Sequence, residues 1–197
     1  MEQPQVTKQE TEELLRLAKS TLNNSVEGDF VELGCYRGDT SVLLQRLLKG
    51  SGKLSEKKLW IYDSFAGLPE KTSEDSSVAG DQFKAGELFV SKREVLEKFK
   101  RSGLPLPIVK KAFFEKLDPE KDLPEKIAFA FLDGDLYGSI KTSFELVLPK
   151  LSEKGIIVVH DYNNPELPGV SKAVEEFLNQ NPDFSLSQKY SLALLSK

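Results

Sequence analysis

Short apolar runs with an acidic residue at or just past their ends recur along this chain, and segments of helical periodicity separate them. The four clearest runs cover residues 30–33, 59–62, 127–132 and 155–159. Buried parallel strands that are covered by helices on both faces have this appearance. Because parallel strands end at one edge of their sheet, residues that follow the runs are expected to converge there. The sequence therefore predicts an α/β fold with its site at that edge.

Amphipathic segments fill the gaps between the predicted strands. Five helices are predicted, at 7–24, after Gly38, from Ser91 to Gly103, after residue 136, and around 170–178. The second is expected to have Asp39 or Thr40 as its cap, and the third begins with a capping box at Ser91. Further strands are predicted at 106–109, 184–186 and 191–195. A chain of 197 residues without repeats fits one domain over 1–197, with an N-terminal helix in 1–25.

The composition excludes several classes of protein. A net charge of -4 argues against a nucleic-acid binder that relies on phosphate contacts. No apolar run is long enough for a membrane span, and the polar segment 1–10 lacks a signal-like region, so we expect a cytoplasmic protein without membrane contact. The single cysteine, Cys35, excludes an internal disulfide and is expected to be a packing residue.

The segment 30–44 combines a strand, a glycine turn and a helix. Such a unit can point backbone N–H groups and a helix N-terminus at a ligand, although a tight turn without a ligand has the same pattern. The carboxylate of Glu32 suits a cofactor with a cationic or hydroxyl-bearing part better than it suits a pyrophosphate. Asp63, after the next strand, can reach ribose hydroxyls. Together these residues predict S-adenosylmethionine as the cofactor.

Residues 64–87 differ from the rest of the chain. They are rich in glycine, serine and acidic residues and have few apolar positions. Loops of this length inside compact domains are usually lids or binding loops, or they are disordered. We therefore predict a lid or substrate loop in this segment.

A second group of polar residues follows the later strands. Asp133, Asp135, His160 and Asp161 are expected at the same sheet edge. Asp133 and Asp161 could hold a hard divalent cation, His160 could add a nitrogen ligand, and Asp135 could act as a general base. His160, the only histidine, could equally be a base or a hydrogen-bonded neighbour. Aspartates after strands also cap turns, which is the structural alternative.

Five segments of the chain resemble one known family. They are VELGCYRG at 31–38, DSFAGLP at 63–69, LDGDLY at 132–137, PKLS at 149–152, and PGV at 168–170 with Ala173 and Val174. In this order, from about residue 30 to 177, they resemble the macrocin O-methyltransferase family of S-adenosylmethionine-dependent enzymes. DSFAGLP and LDGDLY are the most specific of these segments.

The resemblance implies a class I methyltransferase (Rossmann-like) sandwich with a mostly parallel, seven-stranded sheet and a bound Mg²⁺. It implies that Asp133 and Asp161 are metal ligands and that Asp135 is the general base. The family usually has two adjacent aspartates where this chain has His160 and Asp161. Loss of one negative charge should weaken Mg²⁺ binding or favour Mn²⁺; alternatively, the metal is dispensable and His160 is the base.

The candidate cofactor-binding residues are those near the first two strand ends, together with one metal ligand. They are Glu32, Gly34, Tyr36, Gly38, Thr40, Asp63, Ser64, Phe65 and Asp133. Tyr36 either faces the ligand or covers the helix end. Phe65 either packs on adenine or belongs to the core, and Phe113 and Phe114 either line the pocket or seal the sheet edge.

These observations predict an O-methyltransferase that acts on a hydroxyl of a small molecule, a sugar or glycoside, with help from a divalent metal. A homodimer is compatible with this prediction. Two alternatives remain open. Asp133 and Asp135 could be the Asp-x-Asp motif of a metal-dependent glycosyltransferase, or the chain could be an inactive cofactor-binding module that serves interactions.

Overall fold

The computed structural model describes residues 5–79 and 82–197, and seven strands in these ranges form one sheet. The strands are β1 (Asp29–Leu33), β2 (Leu59–Asp63), β3 (Ile108–Lys111), β4 (Ile127–Leu132), β5 (Leu151–Val159), β6 (Ser185–Lys189) and β7 (Leu192–Ser196). Their order is β3-β2-β1-β4-β5-β7-β6, with β1 to β5 parallel and β7 antiparallel to both neighbours. This mostly parallel sheet confirms the predicted fold class.

Helices connect the strands. They are α1 (Lys8–Asn23), α2 (Asp39–Gly50), α3 (Lys92–Arg101), the short α4 (Pro119–Asp122), α5 (Tyr137–Val147) and α6 (Pro168–Gln180). The Ser91 capping box at α3 is present as predicted. The predicted cap of α2 is wrong: Gly38, at φ 72°, precedes this helix and no side chain caps it. A left-handed backbone at that position favours glycine and makes the turn without a capping side chain.

Hydrophobic side chains cover both faces of the sheet. One cluster joins residues of α5 and α6 to one face, and a second joins α1, α2 and α3 to the other. Strand β4 contributes to both, since Leu132 belongs to the first cluster and Phe131 to the second. A central strand that is buried on both faces has the continuous apolar sequence from which β4 was predicted.

The bounds of three strands differ from the predicted ones by two residues or more. Strand β3 begins at Ile108 rather than 106, because Pro107 has no N–H to donate to a ladder. Strand β5 begins at Leu151 rather than 155, since Leu151 pairs with Ile127 before the register shifts. Strand β6 reaches Lys189, beyond the predicted 184–186, and is exposed at all five residues, so burial leaves no pattern in its sequence.

Residues 68–87 form a closed segment, here called the covering loop, of which residues 80 and 81 lie outside the described ranges. Its ends meet in a neck: Leu68 N–H donates to Glu87 O and Gly86 N–H to Leu68 O, each at 2.9 Å. Further along, buried Asp75 accepts a 2.7 Å hydrogen bond from Tyr137 N–H at the start of α5. The covering loop is therefore anchored beside the carboxyl end of β4.

Within the described ranges, every helix is too short or too polar to cross a lipid bilayer.

Candidate active site

The loops after β1, β2, β4 and β5 meet at the carboxyl edge of the sheet. Within three residues of each strand end lies a non-glycine residue with a left-handed backbone: Tyr36 at φ 42°, Phe65 at 45°, Asp135 at 60° and Asp161 at 57°. Backbone conformations of this kind persist only where surrounding contacts hold them, and they concentrate at functional sites. The four loops are therefore sharply turned and closely fixed.

A cleft of about 590 Å³, part of it open to solvent, lies between these loops. Its lining residues come from the ends of β1, β2, β3 and β4 and from the neck of the covering loop. They include Gly34, Tyr36, Asp63, Ser64, Leu68, Pro69, Phe113, Phe114, Asp133, Gly134, Asp135 and Ser139. Phe113 and Phe114 thus take the pocket-lining position, one of the two alternatives in the sequence.

Asp63 organises the loop after β1. Its Oδ2 accepts hydrogen bonds from the N–H groups of Cys35 at 3.0 Å and Tyr36 at 3.1 Å, and its Oδ1 accepts one from Phe65 N–H at 2.8 Å. A carboxylate can accept about four hydrogen bonds, so one site remains for a ligand hydroxyl. The half-buried Asp63 is thus a loop organiser that also borders the cleft.

Three N–H groups at the start of the glycine loop donate to the protein itself, as in the alternative of a tight turn. Gly34 N–H donates to Tyr62 O at 2.9 Å, and the next two N–H groups donate to Asp63. Gly34 has a different physical role, because a Cβ at this residue would lie 1.9 Å from the carbonyl oxygen of Asp133. Glycine therefore permits the loops after β1 and β4 to approach each other closely.

Glu32 is a fully buried carboxyl beneath the cleft. Its Oε2 accepts a hydrogen bond from the Ser41 hydroxyl, whereas Oε1 has no hydrogen-bond partner among the described residues. Burial, and then the charges of Asp133 and Asp63, raise the pKa of Glu32 to about 8. A group whose charge is so poorly compensated favours a bound cation nearby.

The remaining cofactor candidates divide into two groups. Tyr36 and Ser64 line the cleft. Gly38, Thr40 and Phe65 do not: a Cβ at Gly38 would meet Val95 of α3, Thr40 faces a neighbouring cleft, and Phe65 is 2% exposed in the core. Of the two alternatives for Phe65, the structure shows the core position, in which apolar packing under the loop holds this side chain.

Asp133, His160 and Asp161 come together as a candidate metal site. One ligand atom from each lies within 4.8 Å of the others. His160 Nδ1 is 3.0 Å from Asp133 Oδ1 and 3.0 Å from Asp161 Oδ2. Two carboxylate oxygens and one imidazole nitrogen around a common point fit a divalent cation, and the nitrogen suits Mn²⁺ better than Mg²⁺.

The opposite side of His160 faces helix α1. His160 Nε2 lies 3.7 Å from Oε2 of Glu10, and both side chains are buried. Burial works to lower the pKa of His160, but the carboxylates of Asp133, Asp161 and Glu10 outweigh it and raise this pKa well above its ordinary value. In turn, the contact with His160 is the main cause that lowers the pKa of Glu10.

Asp135 lines the cleft next to the candidate metal site. Within 5–79 and 82–197, no group donates a hydrogen bond to its carboxyl. Burial, followed by the negative charges of Asp133 and Asp161, raises the pKa of Asp135 well above its ordinary value. The arrangement provides an available proton acceptor that borders both the cleft and the metal ligands.

Strand order, glycine loop and cleft define the fold as that of the class I methyltransferases. The chain belongs to the macrocin-O-methyltransferase family, since the sequence model of that family matches residues 4–183. This finding confirms the resemblance found in the sequence.

Named relatives agree with this family. The chain is similar to the 8-demethyl-8-(2,3-dimethoxy-alpha-L-rhamnosyl)-tetracenomycin-C 4'-O-methyltransferase of Streptomyces olivaceus, with 31% identity over 73% of this chain and 56% of the relative. It is 30% identical to the demethyldecarbamoylnovobiocin O-methyltransferase of Streptomyces niveus, over 84% of this chain and 64% of the relative. The chain therefore matches less than two thirds of the length of either relative.

A solved structure with the same fold is that of the O-methyltransferase NovP. The TM-score is 0.81 at 25% identity, and the match covers 95% of this chain and 78% of NovP.

Sequence reasoning missed Glu10 as a neighbour of the site. Thr7 and Glu10 have the spacing of a capping box, which predicts a helix start and nothing more. No local pattern connects Glu10 with His160, 150 positions later in the sequence. Only the packing of α1 against β5 brings the two together.

Proposed function

We propose that this chain is an S-adenosylmethionine-dependent O-methyltransferase that acts on a hydroxyl of a small molecule, a sugar or glycoside. The observation that carries the proposal is a single cleft, in a class I methyltransferase fold, that Asp63, Asp133 and Asp135 all line. The family and the named relatives support the same chemistry.

The cofactor would lie across the ends of β1, β2 and β4. Asp63 has one acceptor site left for a ribose hydroxyl, and Phe113 and Phe114 supply apolar walls for a flat base. The carboxylates of Asp63 and Asp133 favour a cofactor that carries a sulfonium and an ammonium group, and a cation bound nearby would also favour ionisation of the buried Glu32 carboxyl. The residues present therefore fit S-adenosylmethionine.

The reaction needs one bond to form as another breaks. S-adenosylmethionine, when bound, would supply the methyl group to the acceptor oxygen and leave as S-adenosylhomocysteine, and Asp135 would take the proton of the acceptor hydroxyl. Asp135 fits this task because it borders the cleft and no described residue donates a hydrogen bond to it. Rigid loops that hold donor and acceptor in line would supply much of the rate acceleration.

A divalent cation would be held by Asp133, His160 and Asp161. When bound, such an ion makes an acceptor hydroxyl more acidic. The position of His160 Nδ1 between two carboxylate oxygens supports a ligand role over the alternative role as a base. Mn²⁺ is favoured over Mg²⁺ by the nitrogen.

The acceptor would enter beside the covering loop. Leu68 and Pro69 at its neck line the cleft, and Asp75 anchors it to α5. We propose that this loop shields the reaction from water, which is the function predicted for residues 64–87. The single domain, the homodimer and the cytoplasmic location stay predictions.

The first test is calorimetry with S-adenosylhomocysteine, in the presence of Mn²⁺ or Mg²⁺ and then of a chelator. We expect binding in the micromolar range, and stronger binding with metal if the two sites are coupled. Absence of binding in all conditions would overturn the proposal.

A turnover assay separates the alternatives. Transfer of labelled methyl groups to any member of a panel of glycosides supports the enzyme, whereas cofactor binding without turnover over the panel supports an inactive module. The glycosyltransferase alternative requires binding of a uridine-diphosphate sugar and none of S-adenosylhomocysteine. The named relatives are all methyltransferases and favour the first outcome.

A further inference from the structure

Glu10 is one of the few carboxylates of this chain that are almost entirely buried, and its surroundings hold it in one orientation. The side chain leaves α1, the helix that packs against β5, and is 5% exposed. Oε2 accepts hydrogen bonds from Thr7 N–H at 2.9 Å and from the Thr7 hydroxyl at 2.7 Å. Oε1 accepts from the Ser191 N–H at 3.2 Å and from the Ser191 hydroxyl.

The capping of α1 accounts for only part of this arrangement. A capping box requires the contacts between Thr7 and Glu10 and leaves the second oxygen free. Here Ser191, in the turn between β6 and β7, holds the second oxygen. With both oxygens fixed, Oε2 remains 3.7 Å from His160 Nε2. Glu10 thus connects the helix, the terminal hairpin and the candidate metal site.

We propose that Glu10 is a positioning residue for His160: it holds the imidazole with Nε2–H toward α1 and Nδ1 toward Asp133 and Asp161, where Nδ1 serves as a metal ligand. In many metal sites a carboxylate orients a ligating histidine through its other nitrogen and fixes its tautomer. This inference rests on the metal assistance in the proposed function. It adds that Glu10 makes a nitrogen ligand usable at a position where the family usually has an aspartate.

The test compares matched glutamate variants by calorimetry of Mn²⁺ and Mg²⁺ with the protein bound to S-adenosylhomocysteine. Glu10→Gln is expected to lose about tenfold to a hundredfold in Mn²⁺ affinity, since its amide places a donor against Nε2–H. Glu13→Gln is the control: Glu13 is equally buried in α1 but pairs with Arg16 and Lys189. Equal metal affinities of the two variants would overturn the inference.

A double-mutant cycle separates orientation of the imidazole from a simple effect of charge. In a His160→Asp background the imidazole is gone, so Glu10→Gln should leave Mn²⁺ affinity nearly unchanged, with only the small loss expected when a negative charge near a cation is removed. If Glu10 acts only through its charge, Glu10→Gln weakens metal binding by the same factor in both backgrounds. That result would contradict the proposal.

Ser191→Ala tests the same inference with a milder change, in case Glu10→Gln does not fold. This variant keeps the charge of Glu10 and its contacts with Thr7, and it removes one of the two hydrogen bonds to Oε1, the one from the Ser191 hydroxyl. We expect a smaller loss of Mn²⁺ affinity in the same direction, with thermal melting to verify folding. A folded Ser191→Ala protein with wild-type affinity would count against fixation by Ser191.

The single histidine allows a direct spectroscopic readout. Nitrogen-15 NMR of the Zn²⁺-loaded protein reports one imidazole, which should carry its proton on Nε2 in the wild type and lose this uniform tautomer in Glu10→Gln. If no metal binds the wild type while S-adenosylhomocysteine does, metal assistance fails and the inference with it, but the methyltransferase proposal stands. If metal binds and Glu10→Gln changes neither affinity nor tautomer, only the inference fails.

Discussion

Asp63 and Asp135 sit in similar places in the sequence and in different physical situations in the fold. Asp63 ends β2 and Asp135 lies just past the end of β4, and both line the same cleft. Asp63 accepts three backbone hydrogen bonds, whereas no described group donates one to the Asp135 carboxyl. Burial and the neighbouring carboxylates also raise the pKa of Asp135 well above its ordinary value.

The comparison separates two tasks that share one sequence pattern. A carboxylate that satisfies backbone N–H groups stabilises a loop, and its removal leaves those groups without partners. A carboxyl without partners contributes little to folding and is available for proton transfer. The distinction leads to opposite expectations for mutants at the two positions.

The largest expected effect is on catalysis at Asp135. Asp135→Asn should lower the methyl-transfer rate by about 10²–10⁴-fold, because the variant cannot take the acceptor proton. Melting temperature should stay the same or rise, since a buried and repelled carboxyl is removed. Single-turnover kinetics and thermal melting measure the two effects. Full activity of Asp135→Asn would remove this residue from the mechanism.

Asp63→Ala should give the reverse pattern, with a clear loss of stability. Unpairing the N–H groups of Cys35, Tyr36 and Phe65 should lower the free energy of unfolding by about 1–3 kcal/mol. S-adenosylhomocysteine affinity should fall as the loop loosens.

Asp29→Ala is the matched control for Asp63→Ala. Asp29 accepts hydrogen bonds from Lys58 N–H at 2.9 Å and Trp60 Nε1–H at 2.8 Å, but it lies at the opposite end of β1. Its loss should reduce stability without changing affinity. Equal effects of the two variants on S-adenosylhomocysteine affinity would contradict a specific role of Asp63 beside the cleft.

The smallest effect on catalysis is expected at Glu32, which sharpens the comparison because only one of its oxygens has a hydrogen-bond partner among the described residues. In the unfolded chain the Glu32 carboxyl has a pKa of 4.5, whereas in the folded chain its pKa is about 8. The folded protein therefore keeps the carboxyl protonated up to a higher pH. The contribution of Glu32 to the free energy of unfolding is therefore fully present below pH 4.5, the pKa of the unfolded chain, and declines as pH rises to about 8.

Glu32→Gln replaces the protonated acid with an amide that does not titrate. Its free energy of unfolding relative to wild type should therefore rise between pH 5 and pH 8, by about 3–4 kcal/mol. Chemical denaturation of both proteins across that range provides the measurement. A constant difference would mean that Glu32 is ionised in the folded protein throughout.

The features that could be predicted are those in which burial requires a recognisable apolar pattern in the sequence. Strand β4 was predicted with its observed bounds, because a strand covered on both faces is apolar throughout. The convergence of Asp63, Asp133 and Asp161 followed from the rule that parallel strands share a carboxyl edge. These features depend on local composition and on one topological rule.

Features that depend on particular contacts were not predictable. Exposed β6 pairs with β7 through its backbone, so its side chains show no apolar pattern. Nothing local distinguishes Phe65 in the core from an adenine-stacking residue. Likewise, the different partners of Asp63 and Asp135 depend on loop backbone conformation, which includes left-handed residues that sequence patterns rarely disclose.

The neck of the covering loop has a consequence for how such proteins diversify. Because Leu68 pairs with Gly86 and Glu87, the residues between them leave and re-enter the sheet scaffold at nearly one point. Gly67 is required there, since a Cβ would lie 2.4 Å from Gly86 O. Evolution or an engineer can therefore exchange the other residues of the covering loop as a cassette, while the neck and Asp75 are kept to hold it in place. Under the proposed function, such an exchange would change the acceptor and leave the carboxyl edge of the sheet intact.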